Sequence, residues 1–281
     1  MKLCRYGKPG YEKPGMIDGE GKLRDLSKIV DNLGPNEISP RGLKMLTRLK
    51  PESLPLVNGT PRYGVPYVGI GKFVAIGLNY SDHAKEAGLP IPPEPIVFMK
   101  ATTCISGPND DVIQPKNSTK LDWEVELGVV IGTTARYVDE ASALNHVAGY
   151  CIVNDVSERS FQMATSQWDK GKGFDTAGPI GPWLVTTDET RDPQALDMAL
   201  EVNEKRMQSG NTRTMVFNVA KLISHVSQYM TLVPGDIIAT GTPPGVGLGM
   251  KPPLFLKPGD VMRLTIYGLG EQKQRVVAYS A

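Results

Sequence analysis

Two glutamates on one predicted β-strand are the residues of this sequence best suited to bind a metal ion. Glu124 and Glu126 lie in the segment 123–131, where apolar residues alternate with them. Side chains two residues apart on a strand point to the same face, so the two carboxylates project together. The apolar segment 147–153 predicts a second strand, and Asp155 follows its C-terminal end. Three carboxylates suit Mg²⁺, Mn²⁺ or Ca²⁺ and suit zinc poorly.

An alternative interpretation of the glutamate pair is an edge strand with a solvated polar face. The pair alone does not decide between the two, because such strands are common in proteins. The position of Asp155 directly after a buried-looking strand, with Asn154 beside it, favours the metal site.

A histidine and a glutamate form a second candidate group. His83 and Glu86 lie three residues apart in the predicted helix 81–87, so they share a face on which the carboxylate can orient an imidazole base. A surface pair without function has the same spacing. The Gly-containing entry at 77–80 and the Pro-rich exit at 90–95 predict a mobile lid.

Several other kinds of site are excluded by the sequence. The Gly-rich segments 171–173 and 245–249 do not lead from a strand into a helix with a downstream acid, so they do not predict a dinucleotide or phosphate loop. There is no GxSxG motif. Cys4, Cys104 and Cys151 are odd in number and far apart, which predicts small buried residues and no disulfide framework or zinc site.

Composition predicts an ordinary globular protein with one large core, or a core plus a small accessory domain. The chain has 281 residues, of which 40% are hydrophobic and 22% charged, and its net charge is +1. It lacks the basic excess of a nucleic-acid-binding protein. The first 19 residues contain no apolar run, and no segment approaches the roughly 18 apolar residues of a membrane span. We therefore expect a cytoplasmic protein that binds neither nucleic acid nor membrane.

Short apolar runs separated by Gly and Pro predict a mainly β, α+β fold. Residues 1–69 are expected to form a small N-terminal domain, with a helix near 26–33, and residues 70–281 a catalytic domain. Strands are predicted at 72–76, 96–99, 237–239 and 261–266, and helices at 139–147 and 218–231, the last one capped by Asn218.

The order of the motifs along the chain resembles that of the fumarylacetoacetate hydrolase family over residues 70–281. The segments that carry this resemblance are GLNYSDHAKE (77–86), FMK (98–100), DWEVELGVVI (122–131), ND (154–155), ER (158–159), KGF (172–174), GP (178–179) and TGTPPGVG (240–247). Residues 1–7 and 168–179 resemble a narrower bacterial branch. Its members are called 2,4-diketo-3-deoxy-L-fuconate or -rhamnonate hydrolases, or ureidoglycolate lyases.

The resemblance implies a β-roll fold, a Mg²⁺ or Mn²⁺ ion, a homodimer and a small 2-oxo acid as substrate. It assigns the metal to Glu124, Glu126 and Asp155, and a lid dyad to His83 and Glu86. It assigns contacts with the substrate to Gln162, to Lys172 (or its neighbour Lys170) and, for a substrate carboxylate, to Thr242. Arg159 is a further candidate for substrate binding. The alternative is that Arg159 and Lys100 are charges near the site that do not contact the substrate.

The implied reaction is hydrolysis of the C3–C4 bond of a 2,4-dioxo acid to pyruvate and a second small acid. For a six-carbon deoxy sugar acid, the second product is lactate. Three alternatives stay open at this point. They are an oxaloacetate decarboxylase or enol-keto isomerase on the same site, a ureidoglycolate lyase, and a non-catalytic member that binds its ligand without turnover.

Overall fold

The computed structural model describes residues 1–190 and 192–280. Within these ranges the strands are β1 (Lys2–Tyr6), β2 (Lys13–Ile17), β3 (Leu23–Asp25), β4 (Phe73–Gly77), β5 (Ile96–Lys100), β6 (Ile105–Ser106), β7 (Val112–Gln114), β8 (Leu121–Asp122), β9 (Val125–Ile131), β10 (Val147–Asn154), β11 (Ser157–Glu158), β12 (Gly178–Thr186), β13 (Asp197–Val202), β14 (Lys205–Asn211), β15 (Ile237–Ala239), β16 (Val261–Ile266) and β17 (Gly270–Ala278).

The helices are short apart from the last one. They are α1 (Pro40–Leu46), α2 (Ser81–Ala87), α3 (Glu140–Ala143), α4 (Arg159–Gln162), α5 (Asp169–Lys172) and α6 (Val219–Tyr229), with 3₁₀ turns at Pro51–Ser53, Thr102–Cys104, Leu144–His146, Thr212–Thr214 and Gly247–Gly249. The predicted sheet-dominated α+β fold is confirmed. No helix among residues 1–190 and 192–280 has both the length and the apolar character needed to cross a bilayer.

The strands form two large sheets and one small one. The main ten-stranded sheet runs β3-β2-β1-β12-β10-β9-β15-β4-β5, with β6 paired to β12, and a five-stranded sheet runs β14-β13-β16-β17-β7. Strand β9 lies between β10 and β15, and all of its residues are buried. The alternative of a solvated edge strand is therefore wrong, because this strand is covered on both faces and paired along both edges.

Strands β9 and β10 are held in the register that positions the acidic residues. Glu126 pairs with Val153, and Val125 pairs with Asn154. The same register continues into the two-stranded β8–β11 pair, where Asp122 faces Ser157. Between these pairs the Asp155 amide donates to Glu124 O over 2.9 Å, so Asp155 lies opposite Glu124. Directly opposed side chains share a face, so this register joins all three carboxylates.

The first 69 residues are attached to the rest of the chain by strand pairing. Strand β1 pairs with β12, which places β1, β2 and β3 at one end of the main sheet. Leu26, Leu33 and Leu46 belong to the same buried core as β9 and β10. The segment is thus joined to the following one, and the division at residue 69 stays a prediction about folding units.

The prediction of a helix near 26–33 was wrong. Strand β3 ends at Asp25, and the chain then turns, with the amides of Ile29 and Val30 both donating to Leu26 O. The helix of this region is α1, which begins with Pro40 and is capped by Ser39, whose Oγ accepts from Gly42 N over 3.2 Å. Proline in the first turn and serine at the cap are the signals that mark this start.

The prediction for α6 was correct, including its cap. Asn218 Oδ1 accepts the amide of Lys221 over 2.8 Å, and the apolar face of the helix is buried. The predicted helix 139–147 is observed as α3 followed by a 3₁₀ turn. The strands predicted at 237–239 and 261–266 are observed with these bounds, and the ends of the others shift by at most two residues.

We predict that Asn218→Ala lowers the free energy of unfolding by about 1 kcal/mol, because it removes an acceptor for an otherwise unpaired amide at the helix start. Asn218→Asp keeps an acceptor at this position and is expected to stay within about 0.5 kcal/mol of the parent protein. Urea unfolding followed by circular dichroism measures both. Equal losses in the two variants would show that the cap is not the stabilising contact.

Candidate active site

The three predicted metal ligands lie together in the interior. One carboxylate oxygen each from Glu124, Glu126 and Asp155 lies within 4.8 Å of the other two, and all three residues are buried. This proximity follows from the strand register, which opposes Asp155 to Glu124 and places Glu126 two residues further along the same face.

Three cationic side chains surround this acidic triad. Lys172 Nζ lies 2.7 Å from Glu124 Oε2 and 2.7 Å from Asp155 Oδ2, so it bridges two members. Lys100 Nζ donates to Asp155 Oδ1 over 2.6 Å. Arg159 donates from Nη2 to Glu124 Oε1 over 2.6 Å. All three cations are buried, and charge-assisted hydrogen bonds of this kind are the strong ones.

The cations are shared unequally among the carboxylates. Burial raises the pKa of Glu124, but the Lys172 ammonium and the Arg159 guanidinium outweigh it and lower that pKa to about 2. Glu126 accepts only the Gly241 amide, over 2.8 Å, and has no ion pair within residues 1–190 and 192–280. Burial, then Asp155 and Glu124, raise the pKa of Glu126 well above its ordinary value. Glu126 is therefore the member of the triad whose ionised form is least compensated by the surrounding cations.

The donor set fits a divalent, oxygen-binding ion. Carboxylate oxygens are the ligands that Mg²⁺ and Mn²⁺ prefer, and the triad offers three within reach of one position. With Asp122, four buried carboxylates oppose the three buried cations. A dication turns this net negative charge into a net positive one, which a single substrate carboxylate would balance.

Asp122 is a site residue that the sequence analysis missed. Its Oδ2 accepts from Arg159 Nε over 2.8 Å and from the Leu248 amide over 3.0 Å. Its Oδ1 accepts the Gly247 amide over 2.7 Å. Asp122 thus holds Arg159 against Glu124 and fixes the Gly-rich loop beside them. The signal was present, because Asp122 lies two residues before Glu124 on the same face.

The loop 240–247 is bound to β9 by buried hydrogen bonds. Thr242 Oγ1 donates to Val125 O over 2.9 Å and accepts from Gln208 Nε2 over 2.8 Å. Gln208 Oε1 accepts the Val125 amide over 2.9 Å. Nothing in the sequence pointed to Gln208, which is contributed by β14 of the five-stranded sheet. A substrate carboxylate at Thr242 would require its hydroxyl to turn away from Val125 O.

The predicted dyad is formed and faces the same cavity as the triad. His83 Nδ1 lies 3.0 Å from Glu86 Oε2, and because a carboxylate only accepts, Nδ1 carries the proton. Glu86 Oε1 also accepts the Gly245 amide over 3.0 Å. Helix α2 therefore contacts the loop 240–247, and most residues of the exit after Gly88 are exposed.

A strained residue precedes the dyad. Leu78 has a φ of +49°, in the left-handed region that leucine rarely adopts. Its neighbour Asn79 is buried, and its amide donates to Phe217 O and Thr240 O over 3.1 and 2.8 Å. These bonds hold the backbone in its strained form just before α2, and α2 lines the cavity. Backbone strain of this kind concentrates at ligand-binding sites.

One cavity of about 590 Å³ contains most of the predicted site residues. Those that line it are His83, Glu86, Glu124, Glu126, Arg159, Gln162, Lys172 and Thr242. Asp155 is not among the lining residues, because it is fully buried behind its contacts with Lys100 and Lys172. Lys170 is exposed and contacts no member of the triad, whereas Lys172 is buried between two of them. Gln162 Oε1 accepts from Arg159 Nη1 over 3.1 Å.

The glycines of this region serve close backbone packing. A Cβ on Gly245 would lie 2.0 Å from Met207 O, and one on Gly247 would lie 1.9 Å from Leu254 O. A Cβ on Gly171 would lie 2.4 Å from Gln162 N, so this glycine allows α5 to pack on α4. The three cysteines are free and buried, as predicted.

The sequence profile described as fumarylacetoacetate (FAA) hydrolase C-terminal matches residues 72–277. The chain belongs to the fumarylacetoacetate hydrolase family. A family member from Burkholderia multivorans, named provisionally as a hydrolase, is 62% identical over 276 residues, which are 98% of each chain.

Solved structures of this family have the same fold. The fumarylacetoacetate hydrolase of Exiguobacterium antarcticum is 36% identical with a TM-score of 0.89, and the match covers 99% of this chain and 100% of that one. A Mycobacterium abscessus protein named as a 2-hydroxyhepta-2,4-diene-1,7-dioate isomerase is 33% identical with a TM-score of 0.85 over 100% of both chains. The maleylpyruvate hydrolase of Sphingobium sp. SYK-6, solved with manganese(II) and pyruvate, is 28% identical with a TM-score of 0.83 over 100% of both chains.

We predict that Glu126→Gln abolishes the Mn²⁺-induced rise in the free energy of unfolding of this protein. The same substitution should not destabilise the metal-free protein. At 100 times Kd, a bound ion should stabilise the parent protein by about 2.7 kcal/mol. Glutamine keeps an acceptor for the Gly241 amide and removes the buried charge that has no cationic partner. Thermal unfolding with and without Mn²⁺ measures both effects.

Asp236→Asn is the matched control, because Asp236 is a fully buried carboxylate paired with Lys72 and not part of the triad. This variant should lose stability but keep the Mn²⁺-induced rise in Tm. A Glu126→Gln protein that is stabilised by Mn²⁺ as strongly as the parent would rule out Glu126 as a ligand.

Proposed function

We propose that the chain is a divalent-metal-dependent hydrolase that cleaves the C3–C4 bond of a 2,4-dioxo acid and releases pyruvate. The observation that carries this proposal is the common cavity, which Glu124 and Glu126 of the acidic triad and the His83–Glu86 dyad line from different elements. The maleylpyruvate hydrolase that shares the fold, with its manganese and pyruvate, supports the metal and the pyruvate moiety.

Glu124, Glu126 and Asp155 are the residues that would hold the metal. A divalent ion there supplies Lewis-acid stabilisation of negative charge on the neighbouring oxygens of the acid. Lys172 and Arg159 already contact the triad, so their positive charges lie beside those oxygens. Gln162, held by Arg159, presents its amide to the same cavity.

His83 is the proposed general base. Because Nδ1 donates to Glu86, the free ring nitrogen is Nε2, which can accept a proton from water. The oxygen of that water attacks C4, the C3–C4 bond breaks, and its electron pair passes to the 2-oxo group as an enolate beside Lys172. A proton then adds to C3, which gives pyruvate and the acid derived from C4. For a deoxy sugar acid of six carbons, that second acid is lactate.

The isomerase name of one structural neighbour favours a second candidate function. Enol-keto isomerisation uses the same stabilised enolate and a base that moves a proton, without attack of water on C4. Decarboxylation of oxaloacetate likewise needs no water attack. Cleavage of ureidoglycolate would instead release urea.

We predict that purified protein with Mg²⁺ or Mn²⁺ converts 2,4-dioxopentanoate to equimolar pyruvate and acetate, because hydrolysis of each C3–C4 bond releases one molecule of each acid. Pyruvate is measured with lactate dehydrogenase and acetate by NMR. Parallel assays follow carbon dioxide from oxaloacetate, urea from ureidoglycolate and the ultraviolet absorbance of an enol substrate. Carbon dioxide, urea or isomerised product without pyruvate and acetate would contradict the hydrolase and identify the alternative.

We predict that His83→Ala lowers kcat by about 10²–10⁴-fold, the range for loss of a general base, and leaves Mn²⁺ binding intact. Glu86→Gln should lower kcat less, because the imidazole keeps a hydrogen-bond acceptor but loses the carboxylate charge. His225→Ala is the matched control, since His225 packs against Tyr229 on α6 and does not line the cavity. Turnover of His83→Ala at the parent rate would exclude the dyad from the reaction.

A further inference from the structure

The cavity has two chemically different parts. Its charged part contains Glu124 and Glu126 of the triad, the dyad, and the cations Arg159 and Lys172. The rest of the lining is dominated by apolar and aromatic side chains, namely Ile76, Leu78, Ala87, Leu89, Ile96, Phe98, Met163, Trp168, Val246, Leu248 and Met250. We refer to this set as the apolar wall. A wall of this composition binds hydrocarbon by excluding water and offers few hydrogen-bond partners to hydroxyl groups.

The apolar wall begins next to the charged groups. Lys172 Nζ lies 5.3 Å from the centre of the Phe98 ring. The Phe98 ring in turn meets the Trp168 ring edge-on, with 5.3 Å between their centres. A Cβ on Gly77 would lie 2.6 Å from Trp168 Cζ3, so the indole packs where a side chain is missing. An acid bound at the triad therefore has an aromatic surface directly beside its reacting end.

The wall continues to side chains that are exposed to solvent. Leu89, Met163 and Leu248 are 54%, 56% and 37% exposed, although they line the cavity. Large apolar side chains clustered around a pocket mark a surface that a ligand covers. Lys251 is the remaining charged residue of the lining, and it is itself exposed.

The size of the cavity also bears on the substrate. At about 590 Å³ it lies within the range of pockets that enclose drug-sized ligands. A six-carbon dioxo acid, the substrate suggested by the bacterial branch, has only two carbons beyond C4 with which to contact the apolar wall.

We propose that the preferred substrate carries a hydrocarbon tail on C4 that extends beyond two carbons and packs on the apolar wall, with Trp168 as a specificity-determining residue. This inference rests on the proposed function and names the substrate class of the same site. Each methylene buried on the wall should raise kcat/KM by up to about fourfold. A hydroxyl placed there loses water without gaining a partner and should lower kcat/KM by about tenfold.

The test uses 2,4-dioxo acids of increasing tail length and one isosteric pair. The series is 2,4-dioxopentanoate, 2,4-dioxohexanoate and 2,4-dioxononanoate. The pair is 2,4-dioxononanoate and 8-hydroxy-2,4-dioxooctanoate, which differ by a methyl against a hydroxyl far from C4, so that their intrinsic reactivities match. The branch-type substrate, 5-hydroxy-2,4-dioxohexanoate, is measured beside them. We expect kcat/KM to rise along the series and to be about tenfold higher for the methyl member of the pair.

Two substitutions of similar size separate the polarity of the wall from its volume. Trp168→Leu keeps an apolar surface and should keep the preference for methyl over hydroxyl. Trp168→Gln should reduce this preference to below about threefold. Trp183→Leu is the control, because Trp183 packs against Tyr63 and does not line the cavity. It should leave the methyl-to-hydroxyl ratio unchanged.

The outcomes distinguish the two proposals. Pyruvate from 2,4-dioxopentanoate with no gain along the series, or faster cleavage of 8-hydroxy-2,4-dioxooctanoate than of 2,4-dioxononanoate, would overturn the apolar tail and leave the hydrolase in place. Equal preferences in Trp168→Gln and the parent protein would overturn the role of Trp168. Absence of pyruvate from every member would refute the proposed function and the tail assignment with it.

Discussion

Four carboxylates buried at one end of a strand pair must be neutralised, and most of the site is built to meet this constraint. Lys100, Lys172 and Arg159 supply three cations, and none of the ion pairs among residues 1–190 and 192–280 includes Glu126. Removing either member of a buried ion pair costs about 3–5 kcal/mol, so these groups are interdependent. A divalent ion would complete the balance and leave one positive charge for an anionic substrate. The proposed metal binding and the negative charge of the proposed substrate would thus both follow from the same arrangement.

The fold supplies the rigidity that this arrangement needs. The register of β9 with β10 continues through β8 and β11, and it fixes the acidic residues relative to one another. Asp122 then couples the strand pair to the loop 240–247, and Glu86 couples the lid helix to the same loop. The proposed catalytic pair therefore lies on a short exposed helix, whereas the acidic triad belongs to the interior of the main sheet.

Local signals in the sequence were sufficient for much of this site. Strand alternation placed Glu124 and Glu126 on one face, and the cap at Asn218 located the longest helix. Asp122 left a local signal that was not used, whereas Gln208 was not predictable, because it reaches the site through long-range contacts that leave no local pattern. The pairing of Lys100 with Asp155 likewise joins residues far apart in the chain. The prediction of a helix near 26–33 was wrong, and it did not take account of strand pairing. The residues just before this segment pair with β2 as the edge strand β3. The apolar wall could not be predicted from the sequence either, because its residues come from segments far apart in the chain.

The central claim is that the triad binds a divalent ion on which a pyruvate-like moiety is held. A crystal soaked with Mn²⁺ and pyruvate, measured at a wavelength where manganese scatters anomalously, tests it most directly. The account predicts an anomalous peak in contact with Glu124, Glu126 and Asp155, with pyruvate adjoining it and Lys172 beside its oxygens. A peak elsewhere in the molecule, or a triad that binds Lys172 alone at saturating Mn²⁺, would contradict the account.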